Sequence, residues 1–139
     1  MEEDKLISIY YFVDERGNAP VSDFIKSLPL KERAKVFAYI AELKKQGNNL
    51  RRPIADYLED GIYELRPRDN RIFYFFYLKS SAVLIHAIKK KTKAIPKNDL
   101  KLCLKRKREI ESEYSKVEKL ELWKGLYEKY KIRKYQHPP

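Results

Sequence analysis

The sequence predicts a single α+β domain built on an antiparallel sheet. Segments rich in β-branched and aromatic residues are typical of strands, and between them lie segments whose apolar residues recur at helical spacing. The chain has 139 residues, of which 43% are hydrophobic and 13% aromatic. This length suits one domain, and the composition supplies a core, which excludes a largely disordered chain. The predicted order is a strand, two helices, a three-strand meander, a helix and an additional C-terminal helix.

The N-terminal part is predicted to form one strand and two helices. Residues 7–13, ISIYYFV, are β-branched and aromatic and are followed by a turn sequence. Ser22 is a candidate N-cap for a short helix over residues 23–27, which must end before Pro29 because the residue before a proline avoids helical geometry. In residues 30–46 the apolar side chains recur at helical spacing, so this segment predicts a second, longer helix.

The middle of the chain is predicted to form the meander and the third helix. Residues 62–68 alternate between apolar and charged side chains, and segments 71–78 and 82–89 follow after short turn sequences. Strands joined by short turns pair in an antiparallel meander. Pro96 then precedes a helix that starts at about Lys97 and has one apolar and one basic side.

Residues 115–139 are predicted to form a helical extension with a frayed tail, outside a main domain of residues 1–114. An apolar stripe in this stretch lies at positions 117, 120, 123, 126, 127 and 130. Such a stripe must be covered by the domain itself, by a second copy of the chain or by another protein. A homodimer through this helix is therefore one of the open alternatives.

The net charge of +11 is concentrated in the middle of the chain. Residues 64–108 contain 14 Lys and Arg against 3 Asp and Glu, whereas residues 1–63 and 109–139 are close to neutral. A solvated face that serves solubility is the simplest explanation. A membrane surface would require a basic amphipathic helix with exposed apolar anchors. Much of the charge lies in predicted strands, which favours a nucleic acid as the partner.

The basic residues of the meander are expected to form one anion-binding cluster. Side chains alternate along a strand, so Glu64, Arg66 and Arg68 are expected on one face, and Arg71 opens the next strand across a short turn. Close guanidinium groups repel each other until an anion joins them, and their geometry matches phosphate oxygens. The predicted RNA-binding residues are Glu64, Arg68, Tyr74, Lys89, Lys90, Lys93 and Lys97, with Tyr57 as an alternative to Tyr74 for stacking on a base. From these residues alone, binding and cleavage of a phosphate backbone both remain open.

Other residue types narrow the classes of function. Cys103 is the one cysteine, and the N-terminal sequence has neither the basic nor the apolar region of a signal peptide, so a cytoplasmic protein is expected. No apolar run approaches the roughly 20 residues of a membrane helix. Two histidines and one cysteine argue against a zinc or iron site, so no cofactor is expected. We expect His86 to be a hydrogen-bonded packing residue and Cys103 to be buried.

Three blocks of the middle segment together resemble a known superfamily. They are YELR at 63–66, RIFYF at 71–75 and LIHAIKKKT at 84–92, the last followed by Pro96. With the predicted order of elements, they resemble the RelE/ParE toxin superfamily, specifically its phage-derived HigB-like branch, over roughly residues 5–114. The resemblance implies the toxin of a type II toxin–antitoxin system, a metal-independent endoribonuclease that cuts mRNA in the ribosomal A site. It also implies a small DNA-binding, HigA-like antitoxin as partner.

The same resemblance implies roles for three basic residues. Arg66 and Arg71 would bind the scissile phosphate, and Lys91 would stabilise or protonate the leaving 5′-oxygen. Some relatives have a tyrosine or histidine just after the last meander strand, where this chain reads KTKAIP at 91–96, so the general acid stays open. ParE-like relatives act on DNA gyrase and tend to lack the basic catalytic positions, which favours the ribonuclease. A noncatalytic nucleic-acid-binding or regulatory protein is the other alternative.

Overall fold

The structure, a computed structural model, describes residues 6–78, 80–91, 94–112, 116–120 and 132–134. These residues form an α+β fold, as predicted. Its elements are β1 (Ser8–Val13), α1 (Pro20–Ser27), α2 (Leu30–Gln46), β2 (Ala55–Glu59), β3 (Ile62–Leu65), β4 (Asn70–Phe76), β5 (Ser81–Lys89), α3 (Lys97–Glu111), β6 (Lys116–Leu120) and β7 (Ile132–Lys134). A single 3₁₀ turn, Gly47–Asn49, follows α2.

The described strands form one mixed sheet in the order β2-β3-β4-β5-β1-β6-β7. β2 to β5 are antiparallel neighbours, as expected for a meander, whereas β1 runs parallel to β5 with Ser8 opposite Ser81. The prediction of a purely antiparallel sheet is therefore wrong at this pair. Strands joined by short turns must run antiparallel. β1 and β5 are separated in the chain by α1, α2 and the strands β2 to β4, so no short turn sets their relative direction, and they pair only when the whole sheet assembles.

Both faces of the sheet are covered by helices. Because successive side chains of a strand point to opposite faces, β4 contributes Ile72 and Tyr74 to one core and Phe73 and Phe75 to the other. α1 and α2 complete the first core, and α3 completes the second through Cys103 and other apolar residues. The continuous apolar run of β4 is thus explained by burial on both sides.

Two local predictions about the first helix and the meander are wrong. Ser22 is buried inside α1 and does not cap it; the helix begins at Pro20, whose fixed φ suits the first helical position, with Ala19 before it. The meander also has an additional strand, β2, which pairs with β3 through a bulged register. By contrast, the prediction of a helix over residues 30–46 is confirmed as α2.

The prediction of a C-terminal helix is wrong for residues 116–120 and 132–134. They form β6 and β7; β6 pairs with β1 in antiparallel register, and Val117 is buried against the α3 side of the sheet. The free edge of β1 accounts for this, because its unpaired backbone groups need partners that a helix does not offer. The chain's own sheet therefore covers Val117, and Leu120 is the last residue of β6. Positions 123, 126, 127 and 130 of the predicted stripe and the tail lie outside the described residues. The homodimer stays a prediction.

Candidate nucleic-acid-binding groove

An open groove of about 500 Å³ lies where the meander meets α2. Its described lining consists of Tyr39, Arg52, Pro53, Arg66, Arg68 and Arg71, and we call it the arginine groove. The turn between β3 and β4 gathers its basic residues: β3 ends at Leu65, and Arg68 takes a left-handed conformation with φ of 59° that turns the chain into β4. Four guanidinium groups in one groove form a strongly cationic surface, and guanidinium is the side-chain group whose donors match phosphate oxygens.

Glu64 lies beneath the arginines rather than beside them on an exposed face. Its side chain is 4% exposed, and Arg66 Nη1 donates a hydrogen bond of 2.7 Å to Glu64 Oε2. Arg71 Nε lies 3.8 Å from Glu64 Oε1. Glu64 thus faces the arginines rather than solvent, and its contact with RNA stays a prediction. The carboxylate holds two of the groove's arginines near each other.

Arg71 is the most buried arginine of the described groove lining. Its Nη1 donates hydrogen bonds of 2.7 Å to the carbonyl oxygens of Arg68 and Asn70. Burial, and after it the positive charge of Arg66, lower the pKa of Arg71 from its usual value. Arg71 Nε and Glu64 Oε1 are both buried without a hydrogen-bond partner among the described residues. One carboxylate thus incompletely neutralises the two arginines, which leaves the groove favourable for an added anion.

Lys89, at the strand end opposite Asn70, pairs with Glu32 and is absent from the described lining of the arginine groove. Lys89 Nζ donates a 3.0 Å hydrogen bond to Glu32 Oε1 of α2, and Asn70 Nδ2 donates to the same oxygen at 3.1 Å. These contacts, the amide of Asn70 first and then Lys89, lower the pKa of Glu32. This ion pair is partly exposed, with 45% of the Lys89 side chain accessible, so the contact of Lys89 with RNA stays a prediction.

The lysines after β5 stand close to the turn that carries Arg68. The backbone N–H of Lys90 donates a 2.7 Å hydrogen bond to the carbonyl oxygen of Asp69, which fixes this segment beside the β3–β4 turn. Lys91 is exposed there and Lys97 is exposed at the start of α3, while Lys93 lies outside the described residues. The groove lining as described contains none of these side chains. The chemical role of Lys91 stays a prediction.

The prediction that Tyr74 stacks on a base is wrong. Tyr74 is 1% exposed, packed in the core between Tyr63 and Phe76, and its burial raises the pKa of its hydroxyl. Tyr57 is half exposed, but its hydroxyl accepts a hydrogen bond from the backbone N–H of Gly61 and it is not part of the described groove lining. Sequence reasoning missed three residues of the groove lining, Tyr39, Arg52 and Pro53. The dipeptide RR at 51–52 was the sequence feature that could have indicated Arg52.

His86 has the hydrogen-bonded packing role that was predicted. Its Nε2 lies 2.7 Å from Asp99 Oδ1, and its ring stacks on Phe73. Arg106 Nη1 donates to the carbonyl oxygen of Ile85 at 2.8 Å and lies 3.4 Å from His86 Nδ1. These contacts attach α3 to β5. Cys103, in the same helix, is buried as predicted, and burial raises its pKa to about 12.

The environment of His86 predicts acid-sensitive stability. Burial, the largest effect, lowers the pKa of His86 below 6.5, although the hydrogen bond to Asp99 opposes this. The unfolded chain therefore binds the proton more readily, so the stability that neutral His86 contributes is complete above about pH 6.5 and is lost as the pH falls. We expect denaturant titrations from pH 7.5 to 5 to show a steeper fall in unfolding free energy for the native sequence than for His86→Gln. Equal slopes would contradict this.

Fold and site together define a small α+β protein with a cationic groove beside the meander of a mixed sheet. A family model described as Phage derived protein Gp49-like (DUF891) matches residues 23–108, more than half of the chain, and the protein belongs to that family. The matched segment runs from α1 into α3 and contains every described residue of the arginine groove. A search of curated proteins found no match.

Two further observations concern the described part of the chain. No helix in it combines the length and the apolar character needed to cross a bilayer. Nor do the described residues bring three or more His, Cys, Asp or Glu side chains together in a group that would hold a metal ion.

Proposed function

We propose that this protein is the toxin of a type II toxin–antitoxin system and acts as an endoribonuclease on mRNA in the ribosomal A site. The arginine groove is the observation that carries the proposal, because it gathers four guanidinium groups beside an incompletely neutralising carboxylate. Membership of the phage-derived Gp49-like family supports it, as does the resemblance of blocks 63–66, 71–75 and 84–92 to HigB-like toxins.

The proposed reaction is attack of a 2′-hydroxyl on the adjacent phosphate. The new bond joins the 2′-oxygen to phosphorus while the bond to the 5′-oxygen breaks, giving a 2′,3′-cyclic phosphate and a 5′-hydroxyl. The proton of the 2′-hydroxyl leaves to a base and the 5′-oxygen gains one. Arg66 and Arg71 would stabilise the additional negative charge on the phosphate oxygens in the transition state. Lys91, exposed beside the β3–β4 turn, would stabilise or protonate the leaving oxygen.

The proposal includes partners. A toxin of this type would act in the cytoplasm on mRNA held by the ribosome, and a HigA-like, DNA-binding antitoxin would neutralise it. Net charge of +11 gives it electrostatic attraction for ribosomal RNA and for mRNA.

One observation favours a second candidate, a noncatalytic nucleic-acid-binding protein. Arg71 is largely buried and donates to two backbone carbonyl oxygens, which is the environment of a structural arginine as much as of a catalytic one. Such a protein would bind phosphates with the same groove and cut nothing.

Mapping of new RNA 5′ ends in bacteria after brief induction of the chain tests the proposal directly. Ends that fall within translated reading frames at a fixed codon phase are the expected result, since cleavage in the A site is coupled to the reading frame. Ends scattered through untranslated RNA would contradict the ribosomal A site and point to a free ribonuclease. Soluble protein that produces no new ends would favour the noncatalytic binder.

A further inference from the structure

The arginine groove contains one aromatic side chain among its described lining, Tyr39 of α2. The tyrosine is half-buried and packs against the core formed by α1, α2 and the sheet. Its helical neighbours Val36, Phe37 and Ile40 are at most 1% exposed, so the helix that carries the ring is firmly attached to the sheet. Tyr39 thus presents a partly buried aromatic ring, carried by a well-packed helix, beside four guanidinium groups.

We propose that Tyr39 stacks on a nucleobase while the arginines bind the adjoining phosphates. Single-stranded nucleic acids are bound in this way, by a cationic groove that follows the backbone and by aromatic side chains that stack on bases. A groove of arginines alone would bind any phosphate equally, whereas a ring in the same groove adds contacts that require a base. The proposal rests on the proposed function and names a binding residue of that same groove.

The surroundings of Tyr39 suit this role. Lys35 Nζ lies over the ring, 5.5 Å from its centroid, and covers part of one face through a cation–π contact. A stacked base would use the ring surface that lines the groove. Because stacking depends on area rather than on hydrogen-bonding edges, Tyr39 would tolerate every base and favour a purine over a pyrimidine.

The test compares binding of two six-nucleotide ligands to the full-length protein. One is 2′-O-methyl oligoadenylate, whose blocked 2′-oxygens prevent cleavage, and the other is the same backbone without bases. The native sequence is expected to bind the oligoadenylate more tightly than the abasic backbone. Tyr39→Leu should lose about 5- to 150-fold in affinity for oligoadenylate, the range reported by alanine substitution for one stacked base, with little change for the abasic ligand. Tyr39→Phe should keep the native preference.

The outcomes separate this inference from the proposed function. If Tyr39→Leu retains the native ratio of the two affinities, or if the native protein binds both ligands equally, Tyr39 does not stack on a base, while backbone binding by the groove still stands. If Arg66→Gln leaves the binding of both ligands unchanged, the groove itself is not the RNA site and both proposals fail. Equal thermal unfolding midpoints of the two Tyr39 variants would show that a lost preference is not a loss of fold.

Discussion

Arg66→Gln is expected to lower the rate of RNA cleavage by about 10² to 10³-fold, the usual cost of removing one donor that stabilises developing negative charge. Arg66 suits this test better than Arg71, because its side chain is 20% exposed and its described hydrogen bond goes to Glu64 alone. Arg71 also donates to two backbone carbonyl oxygens, so its replacement would disturb the β3–β4 turn. The rate is measured from 5′ ends that appear in a translating extract.

Arg108→Gln is the matched control for this prediction. Arg108 is an exposed arginine of α3 that is absent from the described groove lining, so its replacement removes the same charge at a different place. We expect its cleavage rate to stay within a few-fold of the native rate, since only the general attraction for RNA is reduced. A folded Arg66→Gln protein that cuts as fast as Arg108→Gln would overturn the assignment of Arg66. A noncatalytic binder would instead lose affinity without any cleavage to measure.

Glu64→Gln is expected to lower the free energy of unfolding by about 3 kcal/mol, the lower end of the cost of removing one partner from a buried ion pair. The substitution keeps the size of the side chain but removes a carboxylate that contacts both Arg66 and Arg71. The lower end applies because the groove is open and Arg66 is partly hydrated. Denaturant titration measures the change.

Inorganic phosphate is expected to restore part of the stability lost in Glu64→Gln. An anion that binds the two uncompensated arginines of the folded state stabilises that state over the unfolded chain. Glu59→Gln is the control, because Glu59 is exposed on β2 and its loss should change the unfolding free energy by no more than about 0.5 kcal/mol. If the two glutamate variants are equally stable, Glu64 does not hold the arginines as described.

The elements that sequence patterns predicted well are those with strong local periodicity. α2 agrees at both ends because its apolar residues repeat through 17 residues between Pro29 and Gly47. β4 and β5 agree within two residues because turn sequences bound them. β2, five residues long with the burial pattern of an edge strand, has little local signal and owes its conformation to pairing with β3.

The site was predicted in part. The gathering of Arg66, Arg68 and Arg71 follows from a short turn between two strands, and the structure brings all three into one groove. Tyr74 was misplaced because a strand buried on both faces has no exposed side, which an apolar run by itself does not reveal. Tyr39 was overlooked because a tyrosine at helical spacing is indistinguishable in sequence from a core residue.

What this sequence determined by itself is local: the helical period of α2, the turns of the meander, and the concentration of positive charge in residues 64–108. Only the tertiary structure decided which residues share a groove. It placed Tyr39 and Arg52 beside the meander's arginines, paired Lys89 with Glu32, and added β6 to the free edge of β1. These outcomes depend on contacts between residues far apart in the chain, which form when burial of apolar surface and pairing of backbone groups are satisfied together.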